Sequence, residues 1–199
     1  MSPRASSNPL GLIERLRERK SLKKALKAEC TEPVKTSRGD EDCFLCLKGV
    51  PEHDYVIFNE DIVKEQGKKR CDCTIIHVRT EGGQAVISLV LLEIKPNLAE
   101  SLKEARGQLK DTHEAAREIF KGLLKQVRKS FANARLGTLF AIMCPPVRAK
   151  ELNAVRNKLR LRVDGCEYPI IYLECGEHLV NDLLNQYVPL TPPPSSSST

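Results

Sequence analysis

Tryptophan is absent from this chain of 199 residues, and aromatic residues make up only 5% of it. No apolar run approaches the roughly 20 residues that a membrane-spanning helix requires. Residues 1–8 lack the apolar centre of a secretory signal peptide. These absences argue against a membrane or secreted protein and predict a soluble, intracellular one. Because 41% of the residues are hydrophobic, we expect a single globular domain with an aliphatic core.

Several motifs for handling nucleotides and esters are also missing. The chain has no P-loop, no GxGxxG dinucleotide fingerprint and no GxSxG nucleophile elbow. It has no internal repeat either. The sequence therefore offers no support for a P-loop NTPase, a Rossmann-type dehydrogenase or a serine hydrolase.

Positive charge is missing from the C-terminal end of the chain. Residues 163–199 contain five acidic residues and no lysine or arginine, although the whole chain has a net charge of +6. The excess of lysine and arginine lies in residues 1–40, 98–135 and 148–162. Basic blocks of this kind are typical of a polyanion-binding face, and they are equally typical of an ordinary solvated surface.

Cysteine, by contrast, is plentiful, with eight residues. Three interpretations are open: buried free thiols, structural disulfides of the kind found inside hyperthermophiles, or a zinc or iron–sulfur site. Cys43 and Cys46 have the spacing of metal ligands, but no second CxxC pair completes a site. We therefore treat Cys30, Cys43 and Cys46 as candidates for a structural Zn²⁺ site or a disulfide. A further metal ligand would have to come from Cys71, Cys73 or His53.

Hydrophobic periodicity predicts an α/β fold with the order helix, three strands, helix, strand, helix, strand, helix. Asn8-Pro9 is a typical helix start, residues 81–84 contain the Gly-Gly signal of a hairpin turn, and Pro96 ends a strand. A helix between the third and fourth strands implies a parallel strand pair in a mixed sheet. The predicted helices cover 9–29, 98–132, 147–159 and 177–187, and the predicted strands cover 55–58, 71–79, 85–95, 136–144 and 168–174.

These elements predict one domain over residues 9–188, with a core over about 10–144 and an extension over 145–188. The stretch 31–53 is predicted to be a loop held by its cysteines, because it is long for a structureless connection. The tail, rich in serine and proline, is predicted to be disordered. The remaining predictions are disordered ends at 1–8 and 189–199 and a polar turn or strand extension at 59–70.

Two acidic residues and a lysine lie at the ends of two predicted neighbouring strands. A strongly apolar run ends in Glu93-Ile94-Lys95, and Asp72 lies at the start of the preceding strand, across the hairpin. An acid-x-Lys triplet is common by chance, and a second one begins at Glu18, which we interpret as part of a solvated helix face. The later triplet differs because it ends a strand that is apolar at almost every position, where a charge is costly without a role.

This cluster has the chemistry for phosphodiester hydrolysis, which needs a divalent cation, an activated water and a group that stabilises developing charge. Asp72 and Glu93 can supply the carboxylates that Mg²⁺ or Mn²⁺ prefers, and the carbonyl of Ile94 can add a third ligand. Lys95 lies two residues after Glu93, so both side chains point to the same side of the strand. Lys95 is therefore predicted to orient or deprotonate the water, or to neutralise the phosphate.

Asp72, a hairpin, Glu93-x-Lys95 and a following helix together resemble the PD-(D/E)XK nuclease superfamily, which has the restriction-endonuclease-like fold. The resemblance implies a central mixed sheet of four to five strands flanked by helices. It also implies that Asp72 and Glu93 bind the metal and that Lys95 is the catalytic lysine. Superfamily members often add a glutamate from the first helix and a glutamine from the helix after the lysine, and these would be Glu29 and Gln108.

Two positions depart from the superfamily pattern. The residue before the first acid is usually proline, and it is Cys71 here. Branches that carry the glutamine have a tyrosine four residues later, where this chain has Thr112. Iron–sulfur members of the superfamily place their cysteines elsewhere, so the resemblance does not support a cluster.

The sequence thus predicts an enzyme, a Mg²⁺- or Mn²⁺-dependent nuclease that hydrolyses phosphodiester bonds in DNA, with RNA as a further substrate class. We expect it in the cytoplasm or associated with the nucleoid, and the resemblance makes a homodimer an open expectation. The alternative is a catalytically inactive nucleic-acid-binding or assembly protein of the same fold, or a subunit of a larger complex. The basic helix and the basic stretch 148–162 are predicted to hold the nucleic-acid backbone. The predicted contacts on that helix are Lys103, Arg106, Lys110 and Arg117.

Overall fold

The computed structural model describes residues 10–18, 26–27, 30–36, 39–46, 50–51, 55–58, 71–81, 84–130 and 135–187. The predicted disordered ends and the polar stretch 59–70 lie outside these residues. In the part of the chain that is described, no helix is long and apolar enough to cross a membrane.

The helices are α1 (Leu10–Glu18), α2 (Leu98–Ser130), α3 (Ala149–Val155) and α4 (Val180–Tyr187), and a 3₁₀ turn (Arg156–Lys158) follows α3. The strands are β1 (Leu26–Lys27), β2 (Cys30–Thr36), β3 (Gly39–Cys46), β4 (Tyr55–Phe58), β5 (Cys73–Glu81), β6 (Gln84–Ile94), β7 (Arg135–Cys144), β8 (Arg160–Val163), β9 (Cys166–Glu174) and β10 (Glu177–Leu179).

Six strands form a mixed open sheet in the order β4-β5-β6-β7-β9-β8, and the two-residue β1 extends it beyond β4. β4, β5 and β6 are antiparallel neighbours, β6, β7 and β9 run parallel, and β8 is antiparallel to β9. The parallel pair of β6 and β7 is joined by α2, as the sequence predicts. The protein is therefore an α/β protein with a mixed sheet flanked by helices, and the sheet is wider than the four to five strands expected.

Both faces of the sheet are buried because β6 and β7 are apolar on both sides. On one face, Leu91 and Phe140 pack with Leu102 and Leu109 of α2, and residues of α3 and β8 join the same core. On the other face, core residues of β6 and β7 pack with Leu183 of α4 and with side chains of β3. The two helical layers leave the strand ends as the places where polar side chains can reach a ligand.

A small second sheet replaces the loop that the sequence predicts over 31–53. β2 and β3 form an antiparallel hairpin, and β10 pairs with β3 in parallel. A disulfide joins Cys43 of β3 to Cys175, which immediately follows β9. The predicted loop is wrong, because these residues pair as strands. The prediction that cysteines hold the stretch is confirmed for Cys43, which is bonded to a residue 132 positions away.

Three other boundaries differ from the predictions. The first helix ends at Glu18 in the described residues and β1 follows, so a helix through residue 29 is wrong. The basic helix is shorter than 147–159, because a hairpin of β8 and β9 begins after its 3₁₀ turn. The predicted last helix begins at Val180, after β10.

The hairpin of β8 and β9 is closed by a two-residue turn. Its residues Asp164 and Gly165 have φ of 52° and 82°, the left-handed region that two-residue hairpin turns favour.

We predict that loss of the Cys43–Cys175 disulfide destabilises the protein. The bond closes a loop across 132 residues, and the chain-entropy account gives about 4–5 kcal/mol for a loop of that length. A Cys43→Ser, Cys175→Ser double variant should unfold at a correspondingly lower urea concentration. Cys166→Ser is the matched control, since Cys166 is a free, exposed thiol. Equal unfolding free energies for both proteins would contradict the prediction.

Candidate active site

The predicted acids meet where β5 begins and β6 ends. Cys73 of β5 pairs with Leu92 of β6 in the antiparallel ladder, so the residue before Cys73 lies beside the residue after Leu92. These two residues are Asp72 and Glu93. Leu91 belongs to the core on the α2 side of the sheet, and strand alternation turns the Glu93 side chain to that same side.

Each acid binds the backbone of the other strand. The N–H of Asp72 donates to Oε2 of Glu93 at 3.2 Å. The N–H of Ile94 donates to Oδ2 of Asp72 at 2.7 Å. The two hydrogen bonds cross the gap between the strand ends in opposite directions, so they continue the sheet past its last ladder pair and fix both carboxyl groups.

Lys95 lies on the same side as Glu93, as its spacing predicts. Its N–H donates to the carbonyl of Met143 at 2.9 Å, which holds the residue against β7 beyond the end of β6. Its Nζ lies 2.6 Å from Oε1 of Glu93 and 3.9 Å from Oε1 of Glu104 on α2. The ammonium group therefore sits between a buried acid and a half-exposed acid, with 14% of its own side chain exposed.

The carboxyl group of Glu93 is a weaker acid than an ordinary glutamate, because its pKa is raised. The residue is 0% exposed, and burial is the main reason that its pKa is raised to about 8. The charge of Asp72 raises the pKa further, while the hydrogen bond and charge of Lys95 lower it. Without another positive charge nearby, Glu93 is mostly protonated at neutral pH. A divalent cation would supply that charge.

The donor atoms at this site fit Mg²⁺ or Mn²⁺. An ionised carboxylate has about four lone-pair sites, so oxygens that accept one N–H can also coordinate a cation. Asp72 and Glu93 offer carboxylate oxygens, and the predicted carbonyl of Ile94 would complete an oxygen-only set of the kind that Mg²⁺ fills out with water. Across the described residues, no group of three or more acidic, histidine or cysteine side chains could hold a metal on its own.

The predicted zinc ligands do not form such a site with Cys43. Cys43 is bonded to Cys175, so it has no thiolate to offer a metal. This result settles Cys43 in favour of the disulfide interpretation. Cys73 is also disulfide-bonded. The side chains of Cys30 and Cys46 lie outside what the structure describes.

Helix α2 presents a stripe of polar residues to the site at four-residue spacing. Glu104 lies near Lys95, and two turns later Thr112 accepts a hydrogen bond from the N–H of Cys71 at 2.8 Å. Gln108 lies between them on the same stripe, and its carbonyl accepts the Thr112 hydroxyl at 2.7 Å. Gln108 therefore lies on α2 between a residue near Lys95 and a residue bound to Cys71. Glu104 and Thr112 were not predicted from the sequence to belong to the site, although both are four residues from Gln108.

The other predicted site residues have varied positions. Glu29 lies outside the described residues, so its role at the site stays a prediction. On α2, Lys103 is exposed and Arg106 is partly buried. Lys110 lies 3.9 Å from Glu114 and Arg117 contacts Asp164.

Comparison with known proteins identifies no similar protein whose function could suggest that of this chain. No protein-family model matches the chain. Neither the curated proteins nor the solved structures contain a significant match. The function must therefore be inferred from the site itself.

We predict that Glu93 makes stability fall as the pH rises. Its folded pKa of about 8 exceeds the ordinary value of 4.5, so the folded state binds more protons between these values and loses stability toward higher pH. Glu93→Gln, which cannot ionise, should lose less stability than the wild type between pH 5 and 8. The predicted difference is on the order of several kcal/mol. Urea unfolding at both pH values measures it, and identical pH dependences would contradict it.

Proposed function

We propose that the protein is a divalent-metal-dependent nuclease that hydrolyses phosphodiester bonds in DNA, with RNA as a further substrate class. One observation carries the proposal. A fully buried carboxyl group lies beside a second one and 2.6 Å from a lysine at a strand end. Such an arrangement is costly for the fold alone, and it matches what phosphodiester hydrolysis requires.

The residues divide the chemistry between them. Asp72, Glu93 and the carbonyl of Ile94 would hold the metal, which supplies Lewis-acid stabilisation of the phosphate when it is bound. Lys95 is held by Glu93 and keeps 14% of its side chain exposed, and there it would orient the attacking water and neutralise the charge that develops on the phosphate oxygens. Glu104 and Gln108, on the stripe of α2, complete the polar wall of the site.

The element order supports a restriction-endonuclease-like fold as part of the proposal. α1, the antiparallel strands β4, β5 and β6, α2 and the parallel β7 follow one another as in that fold. β8, β9 and the small second sheet are additions to this core in our interpretation. The superfamily is thus supported by connectivity together with the three site residues.

The nucleic acid would lie along the surface of α2 and α3. Arg160 and Arg162 of β8 alternate with Leu161 and Val163, which belong to the core under α2, so these two arginines face the other side of the sheet. α2 packs against α3, so the exposed cations of these two helices share one surface. Such residues bind the phosphate backbone without reading sequence. The exposed cations on this surface are Lys103, Lys110, Arg148, Lys150, Arg156 and Lys158.

The second candidate function is a nucleic-acid-binding protein of the same fold that does not cleave. The observation that favours it is that both acids already hold the opposite strand end through backbone N–H groups. In this alternative, the acids are parts of the fold, and the cationic surface alone carries the function.

We propose that the protein lies inside the cell under both candidate functions. Nucleic acid is accessible there, and disulfides persist inside the cells of hyperthermophiles. Cys43 and Cys73 are both disulfide-bonded, which is compatible with such a source.

The direct test is cleavage of single-stranded, duplex, branched and RNA substrates with Mg²⁺ and Mn²⁺. We predict metal-dependent cleavage of at least one substrate by the wild type. Lys95→Ala should lower kcat by about 10²–10⁴-fold, the usual contribution of a positioned acid–base group. Glu93→Ala, Lys95→Ala should leave no measurable cleavage.

The matched control is Glu177→Ala, which removes an exposed acid of β10 in the small second sheet. It should cleave like the wild type. Unchanged activity in the Glu93→Ala, Lys95→Ala protein would contradict the nuclease proposal. Binding without cleavage by the wild type, on every substrate and metal, would favour the alternative.

The cationic surface gives a separate prediction about binding. Lys103→Ala, Lys150→Ala should weaken nucleic-acid binding to a similar degree for every sequence, because phosphate contacts carry no sequence information. The slope of log K against log salt should decrease by about one for each lysine that no longer binds a phosphate. Fluorescence anisotropy at several salt concentrations measures both quantities. An unchanged slope would place the nucleic acid elsewhere.

A further inference from the structure

The peptide before Asp72 is tied to α2 by a buried side chain. The N–H of Cys71 donates to Oγ1 of Thr112 at 2.8 Å, across 41 positions in sequence. Both residues are 1% exposed, so water does not compete for this bond. Thr112 thus connects the helix to the backbone that leads into the first acid.

The hydroxyl group of Thr112 has a fixed donor role and a fixed acceptor role. It has one proton, which it donates to the carbonyl of Gln108 at 2.7 Å. Its oxygen is therefore left as the acceptor for the N–H of Cys71. The result is a chain of two hydrogen bonds from Cys71 through Thr112 to the backbone of α2, and both require the hydroxyl.

Three groups of Cys71 and Asp72 are thus held by hydrogen bonds to different parts of the structure. The N–H of Cys71 is held by α2, the N–H of Asp72 by the carboxyl of Glu93, and Oδ2 of Asp72 by the N–H of Ile94. Only the first of these bonds comes from outside the two strands. It sets how far the start of β5 lies from the helix that carries Glu104 and Gln108.

The thiol of Cys71 contacts the start of β5. It is buried, and its Sγ–H donates to the nearby carbonyl of Cys73 at 3.3 Å. Cys71 therefore acts at the site through its backbone.

We propose that Thr112 is a positioning residue for the metal-binding carboxyl of Asp72, acting through the N–H of Cys71. This inference rests on the proposed function and extends it to a residue that touches neither metal nor substrate. Groups that orient metal ligands typically change metal affinity by about 10–100-fold when they are removed.

The test is direct Mn²⁺ binding, measured by isothermal titration calorimetry without nucleic acid. Thr112→Val removes the hydroxyl and keeps the shape of the side chain, and Thr112→Ser keeps the hydroxyl. We expect Thr112→Val to bind Mn²⁺ about 10–100-fold more weakly than the wild type and Thr112→Ser to bind close to it. Thr138→Val, on β7 at the level of Leu89 and away from the strand ends, is the matched control and should bind like the wild type.

A second measurement separates positioning from general loss of structure. Hydrogen exchange should show faster exchange at the Cys71 N–H in Thr112→Val, with the ladder of β6 and β7 still protected. If Thr112→Val does not fold, Thr112→Ala removes the same hydroxyl with less steric demand and takes its place.

The outcomes distinguish the two proposals. Wild-type affinity in Thr112→Val, or an equal loss in Thr112→Ser, would overturn the role of the hydroxyl and leave the nuclease proposal intact. A wild-type protein that binds no Mn²⁺ would overturn the metal site and this inference together. Weak binding in Thr112→Val that is restored in Thr112→Ser supports both.

Discussion

The carboxyl group of Glu93, enclosed beside that of Asp72, is the constraint on which the rest of the site depends. Glu93 is fully buried and Asp72 is partly buried, so the two acids repel each other and Glu93 loses its hydration; the surrounding structure must supply compensating groups. Here the compensation comes from two backbone N–H groups and from the ammonium of Lys95. It is incomplete, because the acidity of Glu93 remains far from that of a solvated glutamate.

The sheet places this cluster where it can be both rigid and accessible. β6 lies between β5 and β7, with helices over both faces, so its carboxyl end cannot shift without disturbing two cores. Lys95 continues the pairing with β7 for one residue past the strand. α2 then runs back across the same face, where Glu104 lies near Lys95 and Thr112 binds the N–H of Cys71. Rigid strand ends beside a helix are suited to holding catalytic groups in fixed positions.

The predictable parts of the chain are those in which local pattern and final burial agree. β6 is apolar on both faces because it is central, α2 repeats its apolar residues at helical spacing, and the two acids and the lysine needed only strand pairing to meet. β2 and β3 could not be found this way, because Pro33 and several charges obscure their pattern and the disulfide from Cys43 to Cys175 depends on distant sequence. Glu104 and Thr112 reach the site only through the packing of α2, which spacing alone does not determine.

The reciprocal hydrogen bonds between the strand ends have a consequence for how this sequence can diverge. Asp72 and Glu93 each hold the opposite strand, so replacing either one removes a tertiary interaction as well as a candidate ligand. Selection for folding alone would therefore retain both acids. The side chain of Lys95 is under the same constraint, because its ammonium group compensates the buried carboxyl group of Glu93. The three side chains would therefore be expected to change together, whatever the strand end is used for.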